Sequence, residues 1–352
     1  MRAMQSVYMD WAKTRSPVRY NLGSSEVPHF RMDRWEIPAG DLELDGMSYY
    51  RYPPLREAIA AKCGVTPDRV VMADGTSMAN MLAMAALIAP GDTVAIEQPA
   101  YEPMVAAAEH LGADVRRFAR QGPAFDIDPD AIPAGCRLIV LTNLHNPTGN
   151  LADAATLGAI HALAERDDAY VLIDEVYLDA ALPAQTSAAL LGDRFVCTSS
   201  LTKCYGLSGL RCGWILAAPE LAEKMWRLNE LFAVAQAHQA ERLSCIALAR
   251  LGEIATETTP LLARNRAIAN AFFAGRSEIE MTPMTGGITA FPRLLRGDVD
   301  KLDAILRAEY DAAIVPGRFF GLADHFRIGI GSPTPIVEGG LERLGATLDD
   351  LA

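Results

Sequence analysis

From about residue 70 to 217, short apolar runs rich in β-branched residues alternate with Ala- and Leu-rich stretches of helical period. Val70–Ala73, Thr93–Ile96, Leu138–Leu141, Val171–Ile173, Phe195–Thr198 and Trp214–Leu216 are apolar without strict alternation, which marks strands covered on both faces. Thr76–Ile88, Pro103–Leu111, Ala152–Arg166 and Glu220–Val234 carry the helical pattern. This succession predicts an α/β fold whose layers enclose a mostly parallel sheet.

The flanks read differently. Met1 to about Asp45 bears Pro and Tyr and has little periodicity. Beyond the central region come a long helical stretch, Ala255–Phe273, two short strand-like runs, Ile288–Phe291 and Arg327–Ile330, and a closing helix from Val337. The expected organisation is a large domain over residues 45–250 and a smaller α/β domain from 1–44 and 251–352. A length of 352 suits two domains at a prior of ~150 residues each.

Charge and composition narrow the partners. Lys and Arg number 32 against 44 Asp and Glu, a net −12 with no basic run. That balance argues against an extended nucleic-acid surface. The longest charge-free apolar segment, Gly75–Gly91, has 17 residues and includes Thr76, Ser77, Asn80 and Pro90. A spanning helix needs ~20 mainly apolar residues, so a buried helix is expected and no membrane partner. Asp10 and Lys13 precede any apolar core, so no secretory leader is expected. The six cysteines lack paired spacing and read as small buried hydrophobes of a reducing cytoplasm. The six histidines show no metal-ligand spacing.

Ligands of parallel α/β sheets sit beyond the carboxyl ends of the strands. After Val70–Ala73 comes Asp74-Gly75-Thr76-Ser77, a turn opening a helix whose free N–H groups suit an anion. After Leu138–Leu141 comes Thr142-Asn143-Leu144-His145-Asn146-Pro147-Thr148-Gly149. After Val171–Ile173 come Asp174, Glu175 and Tyr177, and an acid there is costly to bury unless a cation or donor meets it. After Phe195–Thr198 come Ser199-Ser200-Leu201-Thr202-Lys203 and then Arg211. Burial and a neighbouring cation would depress the Lys203 pKa and make it a competent amine nucleophile. A cap, a turn or a salt bridge explains each feature alone. None of these explains why all of them gather at strand ends.

Asn146-Pro147-Thr148-Gly149, Asp174-Glu175-Val176-Tyr177, Ser200-Leu201-Thr202-Lys203 and Gly209-Leu210-Arg211-Cys212-Gly213, in that order, resemble the class I/II aminotransferases. These are pyridoxal-phosphate (PLP) enzymes of fold type I, the aspartate-aminotransferase fold. The likeness covers nearly the whole chain, including Leu55–Ala60, Pro99-Ala100-Tyr101, Val315–Gly321 and Arg327-Ile328. It implies that Lys203 holds PLP as a Schiff base and moves the substrate proton. Asp174 would pair with the ring nitrogen, and Asn146 and Tyr177 with the ring oxygen, while Tyr101 stacks on the ring. Gly75, Thr76, Ser77, Ser200 and Arg211 would hold the phosphate, and Arg327 the substrate carboxylate. Gly23 would belong to a substrate-covering loop. A homodimer with shared active sites is implied, with Tyr49 reaching the partner's phosphate. The segment Ser48–Pro54 is shorter than the family's, which keeps Tyr52 open beside Tyr49.

The expected reaction moves an amino group between an amino acid and a 2-oxo acid. A PLP-dependent carbon–sulfur β-lyase or another elimination enzyme would share every cofactor contact. A regulatory cofactor-binding domain is disfavoured by the lack of an appended basic segment. A nicotinamide dehydrogenase is disfavoured because no GxGxxG follows a strand. The substrate side chain stays open. A second cation for an acidic substrate cannot be chosen from sequence among Arg15, Arg19, Arg51, Arg293 and Arg318.

Overall fold

The computed structural model describes residues 3–44 and 46–351. The expected domain boundary at residue 45, like Met1, Arg2 and Ala352, lies outside the described residues. The chain begins with helix α1 (Val7–Thr14), capped by Ser6, whose hydroxyl accepts from the Met9 N–H. Helix α2 (Pro53–Cys63) follows, opened by prolines in its first turn and closed by Gly64 at φ 70°.

A seven-stranded sheet then forms the centre. In chain order its strands are β1 (Val70–Asp74), β2 (Thr93–Gln98), β3 (Asp114–Ala119), β4 (Leu138–Thr142), β5 (Tyr170–Asp174), β6 (Phe195–Ser200) and β7 (Cys212–Leu216). In space the order is β1-β7-β6-β5-β4-β2-β3. Strands β3, β2, β4, β5 and β6 run parallel, and β7 is antiparallel to both β6 and β1. The sheet is therefore mostly parallel, as the apolar runs predict.

Helices cover it: α3 (Gly75–Leu87), α4 (Glu102–His110), α5 (Ala154–Arg166) and α6 (Pro219–Asn229). Val71, Ile139, Leu172 and Val196 are fully buried, because helices lie on both faces of the strands. Beyond them come α7 (His238–Leu248), α8 (Leu251–Ala274), α9 (Val299–Tyr310) and α10 (Thr334–Leu351).

Helices α1, α2, α7 and α9 are not expected from sequence, and strand β3 and helix α6 depart from the expectation in ways that have a physical reason. Strand β3 has no apolar run: it is the sheet edge, and its exposed Arg116 and Asp114 suit a position that must not pair further. Helix α6 ends at Asn229, not Val234. The chain turns there, with Val234 at φ 58°, and leaves Leu231, Phe232 and Val234 exposed.

The two chain ends meet. Tyr20–Asn21 pairs in parallel with Ala312–Ala313, and Phe326–Gly329 lies between Thr289–Ala290 and Val315–Pro316. Helix α1 sits against α4, where the Ser6 hydroxyl and Glu102 are hydrogen-bonded. Its Tyr8 and Trp11 pack on Phe319 and Phe320 from the far end of the chain.

Candidate active site

Register brings the chemistry together. Thr142, Asp174 and Thr198 are successive partners across β4, β5 and β6, so their side chains stand level at the carboxyl edge. Because β7 runs the other way, it begins at that edge: Gly213 pairs with Ser200, and Arg211 stands just before it. A cavity of about 530 Å³ opens over this edge. That volume suits a small ligand.

One end of the cavity is built for an anion. No side chain caps α3, so its first N–H groups remain available. Gly75, at φ 80°, lies so close to the Arg211 guanidinium that a Cβ there would collide with it. Gly213 likewise has no room for a Cβ against the Gly75 backbone. Thr76 Oγ1 donates to Ser200 Oγ at 2.8 Å, and Arg211 Nη2 donates to the Asp74 carbonyl at 2.9 Å. Ser77 also lines the cavity here.

Deeper in lies Asp174, 5% exposed. Its Oδ2 accepts from Asn80 Nδ2 at 2.8 Å and its Oδ1 from the Val176 N–H at 3.0 Å. It accepts from no arginine or lysine among the described residues. Burial pushes the carboxyl pKa up to about 6, opposed by the Asn80 and Val176 donors. Such a carboxylate fits a ligand that brings its own cation.

Lys203 Nζ faces the same cavity, 3.3 Å from Ser25 Oγ and 3.8 Å from Glu26 Oε2. Burial lowers its pKa and the Arg327 charge adds to this, while Glu26 opposes. Tyr177 is buried, and desolvation holds its phenol protonated. Tyr101 lines the cavity with its ring against the edge of Tyr8, centroids 5.7 Å apart.

Arg327, 1% exposed, lies beneath. Its Nη1 donates to Asn146 Oδ1 at 3.2 Å, and Nη2 donates to Tyr8 OH at 3.0 Å and the Gly23 carbonyl at 3.1 Å. Its Nε, also buried, has no partner among the described residues. Asn146 is oriented from behind. Its N–H donates to Thr142 Oγ1 at 2.9 Å, and Thr142 donates to Glu97 at 2.8 Å. Glu97 pairs with Arg120 at 2.7 Å, both buried.

Most residues expected at the site are brought together: Gly23, Thr76, Ser77, Tyr101, Asn146, Asp174, Tyr177, Ser200, Lys203 and Arg211 line one cavity. Gly75 and Arg327 adjoin it through Arg211 and Asn146. Tyr49 does not line its own chain's cavity; it is 45% exposed, beside Tyr52 and His238. Tyr52 is buried and bonded to Arg242. The arginines left open in sequence lie elsewhere. Arg15, Arg51, Arg293 and Arg318 pair with Asp303, Glu223, Asp324 and Asp300, and Arg19 rests on Tyr20.

Sequence reasoning missed Tyr8, Ser25, Glu26 and Asn80. Tyr8 and Ser25 lie where the chain has no periodicity to follow. Asn80 had a faint signal, as a lone amide inside an apolar helix.

The comparisons with known proteins agree with this geometry. A family model described as aminotransferase class I and II matches residues 21–344. A capreomycidine synthase from Streptomyces vinaceus is 31% identical over 96% of this chain and 92% of its own. A histidinol-phosphate aminotransferase from Caulobacter vibrioides is 36% identical over 54% of this chain and 52% of its own. Among solved structures, the PLP-dependent cyclase OrfR is similar at a TM-score of 0.89 and 25% identity, over 100% of this chain and 99% of that one. A PLP-dependent aminotransferase from Streptococcus suis shares the fold at a TM-score of 0.92 and 21% identity, with the same coverage.

The buried carboxyl makes a pH prediction for the ligand-free protein. A raised folded-state pKa means that the Asp174 contribution is fully present below about pH 4, and is lost as pH rises through about 6. Across that window the wild type should lose on the order of 2–3 kcal/mol relative to Asp174→Asn in paired thermal melts. A difference that does not change with pH would contradict it.

Proposed function

The chain belongs to the class I and II aminotransferases, PLP-dependent enzymes of the aspartate-aminotransferase fold, and from that premise we propose how its own residues run the reaction. The reaction moves an amino group between an amino acid and a 2-oxo acid. The observation that carries the assignment of roles is the placement of Asp174. It is a buried carboxylate lacking a cation, in one cavity with a lysine amine and an anion cradle.

The residues fit PLP. The α3 N–H groups, Thr76, Ser200 and Arg211 would hold its phosphate, with Ser77 beside them. Asp174 would hold the proton on the ring nitrogen, Asn146 and Tyr177 would donate to the ring oxygen, and Tyr101 would cover the ring face. When bound, PLP supplies an electron sink for charge developing at the amino acid α-carbon. Lys203 would hold the cofactor through its amine, and its Nζ, as a free amine, would take the proton from that α-carbon. The lowered pKa makes the neutral amine available for this. Arg327 orients the substrate carboxylate, and its buried setting excludes water that would weaken the pair. The Gly23 loop closes over the substrate.

We place the chain's division at the expected points, 45–250 and the two ends 1–44 and 251–352. The pairing of Tyr20–Asn21 with Ala312–Ala313 supports a smaller domain built from both ends. A homodimer is supported by exposed apolar residues in the segment that leads to Gln236. Gln236 bonds Asp74 at the start of α3, and near it in sequence Leu231 is 79% and Phe232 55% exposed. Across such an interface Tyr49, not the buried Tyr52, would reach the partner's phosphate. No helix among the described residues is long and apolar enough to cross a membrane. The free cysteines support a cytoplasmic setting.

None of the five arginines left open in sequence lines the cavity, so a second substrate carboxylate has no partner among them. A second reading, ring closure on the same site, is favoured by one observation: OrfR, similar over nearly the full length of both chains, is a PLP-dependent cyclase. Amino-group transfer requires a 2-oxo acid acceptor, whereas elimination or ring closure proceeds without one. Product formation with and without acceptor, screened over amino acids, separates the two.

Borohydride treatment should fix PLP to the peptide containing Lys203, and Lys203→Ala should abolish both that adduct and amino transfer. An adduct surviving in the variant would overturn the assignment. Arg327→Ala should lower kcat/KM for the amino donor by about 100-fold, since the charge-assisted hydrogen bonding to the substrate carboxylate is lost. Tyr49→Phe should raise the PLP Kd by about tenfold through loss of one hydrogen bond to a charged group. Tyr52→Phe should leave it within about twofold, a smaller change than any such bond contributes. The reverse order would assign the phosphate contact to Tyr52.

A further inference from the structure

Helix α3 meets the site twice. Its first turn stands at the anion cradle, and on the same helix Asn80 reaches the carboxylate at the other end. The other buried residues of this helix beyond its first turn are Ala79, Leu82, Ala83, Met84 and Leu87. An amide among them is costly unless both of its ends are bonded. Here both are. Nδ2 donates to Asp174 Oδ2 at 2.8 Å, and Oδ1 accepts from Thr198 Oγ1 at 2.5 Å. Asp174 and Thr198 are register partners on neighbouring parallel strands, so a single amide spans the two side chains.

The direction of that amide matters. Turned over, it would aim its carbonyl oxygen at the carboxylate and lose the hydrogen bond. The carboxylate, which only accepts, keeps the N–H end toward Asp174, and the Thr198 hydroxyl, donating to Oδ1, satisfies the other end. The Val176 N–H and Asn80 then hold one carboxylate oxygen each, while the remaining lone pairs are free for the cavity that Asp174 lines.

We propose that Asn80 is a positioning residue for the PLP ring nitrogen, acting through Asp174, and that Thr198 anchors the far end of its amide. This rests on the reading of Asp174 as the ring-nitrogen partner. Without Asn80 the carboxylate loses a donor to its charged form and can rotate about its remaining bond. It then competes for the proton that the ring nitrogen must keep. The burial that already favours the neutral acid works in the same direction.

Holoenzyme reconstituted with PLP carrying nitrogen-15 in the ring reports ring-nitrogen protonation directly. Asn80→Ala should lower the apparent ring-nitrogen pKa by about one unit and weaken PLP binding about tenfold, the range of one hydrogen bond to a charged group. The KM for the amino donor should stay unchanged. Thr198→Val should shift the titration the same way by less, and Thr198→Ser should restore it. In the Asn80→Ala background Thr198→Val should add nothing, because the hydroxyl acts only through the amide. An unchanged titration and Kd in Asn80→Ala overturns the proposal, and so does full additivity of the two variants. Should Asn80→Ala fail to fold, the Thr198→Val and Thr198→Ser pair carries the same comparison. Asp174→Asn separates the two levels. If it leaves the ring titration unaltered, the reading of Asp174 falls and this proposal falls with it. If it alters the titration while Asn80→Ala does not, only this proposal falls.

Discussion

A carboxylate at the end of an apolar parallel strand is unfavourable by itself, and much of the architecture over the sheet edge follows from keeping Asp174 there. Strand β5 is enclosed between β4 and β6 and covered on both faces, so no water reaches the acid from below. Neutral donors meet both oxygens, which lowers the cost without cancelling the charge. An arginine in the same place would have stabilised the protein more in isolation. It would also have taken up the interaction that a cationic ring nitrogen needs.

The cradle at the other end obeys a related constraint. A guanidinium must approach the start of α3 closely enough to share an anion with its N–H groups, and glycine at 75 and 213 is what permits that approach. Arg211 itself takes a left-handed conformation, φ 50°, to reach back from the start of β7. The antiparallel strand thus does more than join β1 to β6: its reversal delivers the arginine to the carboxyl end of the parallel strands.

Much of this was legible because strand ends combine two signals. The apolar runs stop where the chemistry begins, so Asp174, Asn146, Lys203 and Arg211 announce themselves as polar residues in the wrong place. Strand β3 carried no such signal, since an edge strand trades apolar residues for charge. Helix α6 looked longer than it is because Leu231 and Val234 continue its period, although that surface is open in the single chain. Apolar residues in a period report that something will cover them, not which element or which copy does so. Tyr8 and Glu26 were invisible for a different reason. Their places are set by contacts with residues hundreds of positions or a whole domain away, and no local pattern encodes that.

The N-terminal segment shows the dependence most clearly. Buried guanidinium groups need acceptors, and those of Arg327 come largely from that segment, through the Tyr8 hydroxyl and the Gly23 carbonyl. The segment has little periodicity of its own and is held by such contacts, by Arg15 on Asp303 and by the aromatic packing of Tyr8 on Phe319 and Phe320. The wall of the cavity and Arg327 are therefore one cooperative unit. A net charge of −12 does not oppose this. Exposed charges are screened within ~10 Å at moderate salt, whereas Arg327 acts from a dry site at hydrogen-bond range. What an acidic chain cannot do over a broad surface, the proposed carboxylate site would do with one buried cation, whose Nε has no partner among the described residues.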